Sequence, residues 1–150
     1  AYRTLQANVL LLIVGTIALG KAMEKTGASQ HYAEVFLSLF TNSDPVMVLA
    51  GVILLTSIST QLLSNNATAI LMLPIAISAA EALGVDPKAF IIGVCFGASA
   101  CYGTPIGYQT NLMVYGPGNY RFVDYLKLGF PLNLMVIAAG TLLIPRFWPF

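Results

Sequence analysis

Two clusters of small, uncharged polar residues interrupt an otherwise apolar sequence. The first reads TSISTQLLSNNAT, from Thr56 to Thr68, and the second is Gly103-Thr104-Pro105-Ile106-Gly107. Ser64 and Asn65 are both side-chain types that cap a helix N-terminus through an oxygen. The same neutral oxygens can face a cation. Thr60 precedes Ser64 by one helical turn, so its hydroxyl belongs to the same face. In the second cluster two glycines and a proline within five residues interrupt any helix. Pro105 is expected in the first turn of a second half-helix, where its missing N–H costs nothing. A helix that stops presents carbonyls with partial negative charge, and one that starts presents N–H groups with partial positive charge. Carbonyl ends suit a bare Na⁺, and N-terminal ends suit an anion.

The missing residue types narrow the chemistry further. Asp, Glu, Lys, Arg and His are absent from residues 4–20, 45–80, 89–120 and 128–145. A proton antiporter usually carries an intramembrane carboxylate, and a calcium site needs several. No Ser-His-acid set or metal cluster is available for hydrolysis, so an enzyme is not expected. Cys95 and Cys101 lie in an apolar run and read as small buried side chains rather than a metal or redox pair. His31, between Gln30 and Tyr32, reads as a solvated loop residue.

The elements that must hold these clusters are set by lipid. Of the 150 residues, 57% are hydrophobic and 9% charged, whereas a soluble domain carries roughly 25% charged residues. The net charge of +1, without a basic stripe, argues against nucleic acid. A spanning helix needs about 20 apolar residues, so residues 4–20 and 128–145 fit one span each. Residues 45–80 are too long for one span and too short for two with a wet turn. They fit a re-entrant helical hairpin, residues 46 to about 83, turning at Ser64-Asn65-Asn66. Polar backbone at that depth is tolerated against protein or a watery cavity. Residues 89–120 fit a span broken at 103–107. Residues 33–40, AEVFLSLF, read as a helix along the interface, and Tyr120, Phe122, Tyr125, Phe147 and Trp148 as rings at the headgroup level. The RFVDYLK segment has the denser positive charge and is expected on the cytoplasmic side. Without a repeat or soluble linker, the chain counts as one transmembrane unit, residues 1–150. Its start, AYRTLQ, reads as the interior of a longer protein.

These residues carry a resemblance. Ser64-Asn65-Asn66-Ala67-Thr68 followed by ILMLPIA resembles the Ser-Asn-Thr hairpin signature of the divalent anion:sodium symporter family. Gly103-Thr104-Pro105 followed by IGYQTNLMVYGPGNYRFVDYLKLGFPLNL is similar to that family's broken helix and final span. The resemblance covers nearly the whole chain and corresponds to the second of two inverted repeats. It implies an all-α membrane protein, the C-terminal half of a longer permease, working as a homodimer in the bacterial inner membrane. It implies Na⁺-coupled symport of a dicarboxylate, citrate or sulfate. Thr60, Ser64, Asn65 and the backbone of Gly103 would form a Na⁺ site, and Asn65, Asn66, Thr104 and Pro105 would line the anion site. Asn66 stands where the signature has Thr, and Ile106 where a second Pro is usual, which leaves the anion open. An antiporter or efflux permease of the same superfamily, and a non-transporting membrane subunit, are the alternatives.

Overall fold

The computed structural model describes residues 7–39 and 44–150. The described residues form seven helices: α1 (Ala7–Lys25), α2 (Ala28–Leu37), α3 (Pro45–Thr60), α4 (Asn65–Leu83), α5 (Lys88–Ser99), α6 (Gln109–Tyr115) and α7 (Phe122–Phe147). Each boundary has a local cause. Asp44 caps α3, accepting from the Val46 N–H at 3.1 Å, and Pro45 occupies the first turn, a position suited to proline. Gly84, at φ 70°, ends α4, and the Val85 N–H returns to the Ala80 carbonyl at 3.0 Å, the left-handed stop that glycine favours. Before α5, the Asp86 carboxylate accepts from the Lys88 N–H at 2.9 Å. In the first turn of α7, the Asp124 carboxylate reaches back to accept from the N–H of Arg121, the residue before the helix, at 2.8 Å.

Helix α3 is the hub. It packs against α4, α5 and α7, while α1 and α2 pack together and against α4. Val48, Leu49, Val52 and Ile53 of α3 meet Ala89, Phe90 and Val94 of α5, Met72, Ala76 and Ala80 of α4, and Ile144 of α7 in one core. Ala89, Gly93 and Gly97 recur every fourth residue along α5, the small-residue spacing that lets helix backbones approach in lipid. A Cβ on Gly97 would lie 2.8 Å from both the Ile53 carbonyl oxygen and Thr56 Cβ, and one on Gly93 would lie 2.7 Å from Leu49 Cδ1. The approach of α3 and α5 therefore depends on glycine at these two positions.

Helices α4 and α7 are long and apolar enough to cross a bilayer, while α3 and α5 are apolar but shorter. Large apolar side chains along α7, among them Leu128, Met135, Leu142 and Phe147, are exposed. The all-helical architecture of the described residues agrees with the sequence reading; residues 45–83 form two helices, α3 and α4, joined at residues 61–64.

Several details differ. The interruption after α5 runs over residues 100–108, wider than 103–107, and α6 starts at Gln109. Pro105 and Thr104 thus lie inside the connection rather than in the first turn of a half-helix. Proline disfavours the α conformation in the residue before it, and Tyr108 is extended, at φ −137° and ψ 134°, so helix resumes only beyond it. Helix α7 begins six residues before Leu128, because charge marks where a chain leaves lipid and does not stop a helix. His31 is exposed on α2 rather than in a loop. Cys95 is exposed and Cys101 buried; Cys95 lies on the face of α5 turned away from Gly93 and Gly97. Helix α2 covers most of 33–40 and buries Ser29, Ala33 and Phe36; Phe40 and Arg3 lie outside the described residues.

The close approach yields a prediction. Gly97→Ala in the full-length protein should lower stability by about 1–3 kcal/mol through overpacking. Gly15→Ala, where a Cβ meets nothing within 4 Å, should be neutral or slightly stabilising. Thermal unfolding in detergent checks both, and equal melting temperatures would contradict the packing described.

Candidate functional site

The polar clusters meet where α3 and α5 both end. The last carbonyls of a helix have no partner within it, and here each end is served by side chains of the other. From the α3 side, the Ser57 hydroxyl donates to the Ala100 carbonyl at 3.2 Å, and Gln61 Nε2 donates to the same carbonyl at 2.9 Å. In the opposite direction, the Cys101 thiol donates to the Thr60 carbonyl at 3.0 Å and the Thr104 hydroxyl to the Gln61 carbonyl at 2.8 Å. Asn111 of α6 closes the far side, with Nδ2 donating to the Cys101 carbonyl at 3.0 Å and the Thr104 carbonyl at 3.2 Å. The Tyr125 hydroxyl of α7 donates to the Asn111 carbonyl at 2.9 Å.

At the centre stands Thr60, fully buried. Its hydroxyl oxygen lies 2.9 Å from Asn65 Oδ1 and 2.9 Å from the Ala98 carbonyl oxygen. A hydroxyl has one proton, so it can serve only one of these acceptors at a time. The result is an oxygen-rich corner, short of protons, where two helix C-termini bring their partial negative charge together. Gly107 lies against the same corner: a Cβ there would lie 2.6 Å from the Thr60 carbonyl and would overlap Cys101 Sγ.

The N-terminus of α4 faces a polar cleft beside this corner. Ser64 is the N-cap, its hydroxyl accepting from the Ala67 N–H at 3.3 Å. The cleft has a volume of about 560 Å³ and is lined by Ser64, Asn65, Asn66, Ser99, Gly107, Tyr108, Gln109 and Thr110. A neighbouring hollow of about 320 Å³ shares Asn65, Ser99, Tyr108 and Thr110, and adds Cys101, Tyr102 and Asn111. The lining of both is uncharged. Amide and hydroxyl groups supply the polarity, as an anion held by neutral donors requires.

Of the residues singled out in the sequence, Thr60, Ser64, Asn65 and Asn66 come together at the hairpin tip. Gly103, Thr104 and Pro105 are buried in the connection and do not line the cleft. The Gly103 N–H is committed to Gln61 Oε1 at 3.1 Å, and the Thr104 hydroxyl to the Gln61 carbonyl. The second wall of the cleft is instead Gly107 to Thr110. Gln61, Asn111 and the Ala98 carbonyl were not foreseen. Gln61 and Asn111 did leave a signal, because an amide in an apolar stretch is penalised unless it is bonded; a main-chain carbonyl leaves none. Two further buried oxygens, Thr68 Oγ1 and Asn133 Oδ1, have no hydrogen-bond partner.

Comparison with known proteins assigns the chain to a class. Residues 1–148 match the citrate transporter family model, and the chain belongs to that family. It is 43% identical to an uncharacterized transporter of Synechocystis sp. over 95% of this chain and 23% of that protein. It is 34% identical to sodium/sulfate cotransporter 1 of Chlamydomonas reinhardtii over 93% of this chain and 16% of that protein. It is 28% identical to the sodium-dependent dicarboxylate transporter of Staphylococcus saprophyticus over 91% of this chain and 26% of that protein. The chain thus spans about a quarter or less of the length of these relatives. They are transporters rather than enzymes, and the exposed apolar helices agree with an integral membrane protein, consistent with the divalent anion:sodium symporter resemblance.

Loss of the Ser64 cap gives a second prediction. Ser64→Ala should cost about 1 kcal/mol of stability, and Ser64→Gly only a few tenths. Chemical or thermal unfolding of the full-length protein measures the difference, and an alanine variant as stable as wild type would show that the cap is not used.

Proposed function

We propose that this chain is the C-terminal inverted repeat of a longer, homodimeric permease that carries a small divalent anion with Na⁺ across a bacterial inner membrane. The observation that carries this reading is the junction of two helix C-termini at Thr60 and Ala98, immediately beside a neutral polar cleft at the start of α4. Helix α3 has 16 residues and reaches about 24 Å, short of a hydrocarbon core of about 30 Å. The short α3 supports a hairpin α3–α4 that enters the bilayer and returns, with residues 61–64 at depth, α4 with its 19 residues running the greater part of the way back. Helix α5, with 12 residues, reaches about 18 Å and places the 100–108 connection at a similar level. The other inverted repeat supplies the opposite wall.

Na⁺ is held by Thr60 Oγ1, Asn65 Oδ1 and the Ala98 carbonyl, with Ser64 and the backbone of the 103–107 segment close by. Three neutral oxygens with one shared proton match a hard monovalent cation better than they match one another. The anion occupies the cleft, facing the Asn66 amide, the first N–H groups of α4 and the polar side chains of residues 108–110. Thr104 and Pro105 act on it indirectly, by shaping the connection that carries Tyr108. Because Asn65 serves both ligands, Na⁺ draws its amide oxygen one way and leaves the N–H₂ group to the anion. Coupling of the two follows and is reciprocal. A dicarboxylate, citrate and sulfate all fit this chemistry.

The test is uptake of labelled sulfate, succinate and citrate by the full-length permease in proteoliposomes, with Na⁺ or choline. Na⁺ should be required for at least one of the three. Thr60→Val and Asn65→Ala should each raise the Na⁺ concentration for half-maximal uptake by about fivefold or more. Asn66→Ala should raise the apparent KM for the anion while folded protein persists. Uptake indifferent to Na⁺, or an unchanged Na⁺ dependence in both site variants, would overturn the proposal.

A further inference from the structure

Gln61 follows the last residue of α3, and its side chain is used at both ends. Nε2 donates to the Ser57 carbonyl at 3.1 Å and to the Ala100 carbonyl at 2.9 Å. Oε1 accepts the Gly103 N–H at 3.1 Å and lies 3.7 Å from Cys101 Sγ, whose single proton goes to the nearer Thr60 carbonyl at 3.0 Å. The Gln61 main-chain carbonyl receives the Thr104 hydroxyl at 2.8 Å. One residue therefore holds positions 100, 103 and 104 of the connection. A primary amide can donate twice and accept twice, while an ionised carboxylate cannot donate, and asparagine is one methylene shorter. Gly103 makes the reach possible, since a Cβ there would lie 3.2 Å from Gln61 Oε1 and 3.6 Å from Asn133 Nδ2.

The consequence for the corner is geometric. Gln61 adjoins Thr60 in sequence, and Ala100 lies two residues after Ala98. The bond from Gln61 to Ala100 thereby sets how far the Ala98 carbonyl stands from the Thr60 hydroxyl. The Gln61 side-chain oxygen is turned to the Gly103 N–H and is not among the oxygens that meet at Thr60, so Gln61 acts on the corner through the main chain rather than as a ligand.

We propose that Gln61 is the positioning residue of the cation corner: it fixes the spacing of Thr60, Asn65 and the Ala98 carbonyl before the ion arrives. This rests on the Na⁺ reading given above. An oxygen set already in place loses little freedom on binding, and outer-shell partners of this kind commonly change metal affinity by about 10–100-fold. The same latch leads into residues 107–110, so it also ties the cation corner to the second wall of the anion cleft.

The experiment is thermal unfolding of the purified full-length permease, titrated with NaCl against choline chloride at constant ionic strength, with no divalent anion added. Gln61→Met keeps length and volume but removes the amide, and Gln61→Glu keeps shape while removing donors. Both should raise the Na⁺ concentration for half-maximal stabilisation by about tenfold or more. Ser59→Ala is the control, because the Ser59 hydroxyl only returns to Leu55 of its own helix at 2.8 Å; its Na⁺ midpoint should match wild type. If both Gln61 variants keep the wild-type midpoint, however far their melting temperatures fall, the positioning role is wrong. If neither accumulates as folded protein, Gln61 is a structural residue and the proposal is overturned as well. A wild-type protein stabilised equally by Na⁺ and choline would instead sink the sodium reading itself, and this proposal with it.

Discussion

Two helices that end away from water must each find donors for their last carbonyls, and in this protein α3 and α5 find them in one another. Ser57, Thr60 and Gln61 of the hairpin tip donate to the end of α5, and Cys101 and Thr104 of the connection donate to the end of α3. A buried main-chain group left unsatisfied costs free energy, so this exchange is a condition for burying the two helix ends against one another. Each helix stops where a side chain of the other can meet its carbonyls. The ends are thereby held side by side although like partial charges repel.

The exchange requires the two backbones to lie close, and glycine provides the proximity. Gly93 and Gly97 let α5 settle onto Leu49, Ile53 and Thr56 of α3. Gly107 then passes beside the Thr60 carbonyl, bringing residues 108–110 opposite the start of α4. On the other side Gly129 of α7 lies directly against the Tyr102 carbonyl, so the connection is pressed between α3 and α7. Helix α6 is tied in separately, through Asn111 and Tyr125. The connection that leads to the cleft wall is consequently braced at residues 100, 101, 103 and 104, each bonded to a named partner.

Neutrality runs through the whole site. The cleft is lined by hydroxyls, amides and main chain, with charges confined to helix ends and connections. Such groups hold ions without the large desolvation cost that a buried carboxylate or ammonium would bring. This chemistry fits the membership of the citrate transporter family and the sodium-coupled anion carriers among its relatives.

The sequence by itself determined the class and marked the two polar clusters. Sparse charge demanded lipid as solvent, the Ser64-Asn65-Asn66 run marked a capped helix start, and the Gly-Pro cluster marked an interruption. These features are legible because propensity, capping and solvent act over a few neighbouring residues. Which polar residues face one another was decided only by the tertiary structure. Gly103, Thr104 and Pro105 looked like the wall of the cleft, yet Gly103 and Thr104 turn inward to Gln61, Pro105 is buried beside them, and the wall is formed by residues 107–110. Ala98 contributes an oxygen that no side-chain identity could announce, because every residue has that carbonyl. Cys95 and Cys101 are alike in sequence context and opposite in burial. The reason is common to all of these: a residue's partner some 40 positions away depends on how closely two helices pack and on the rotation of each about its axis, and no local pattern encodes either.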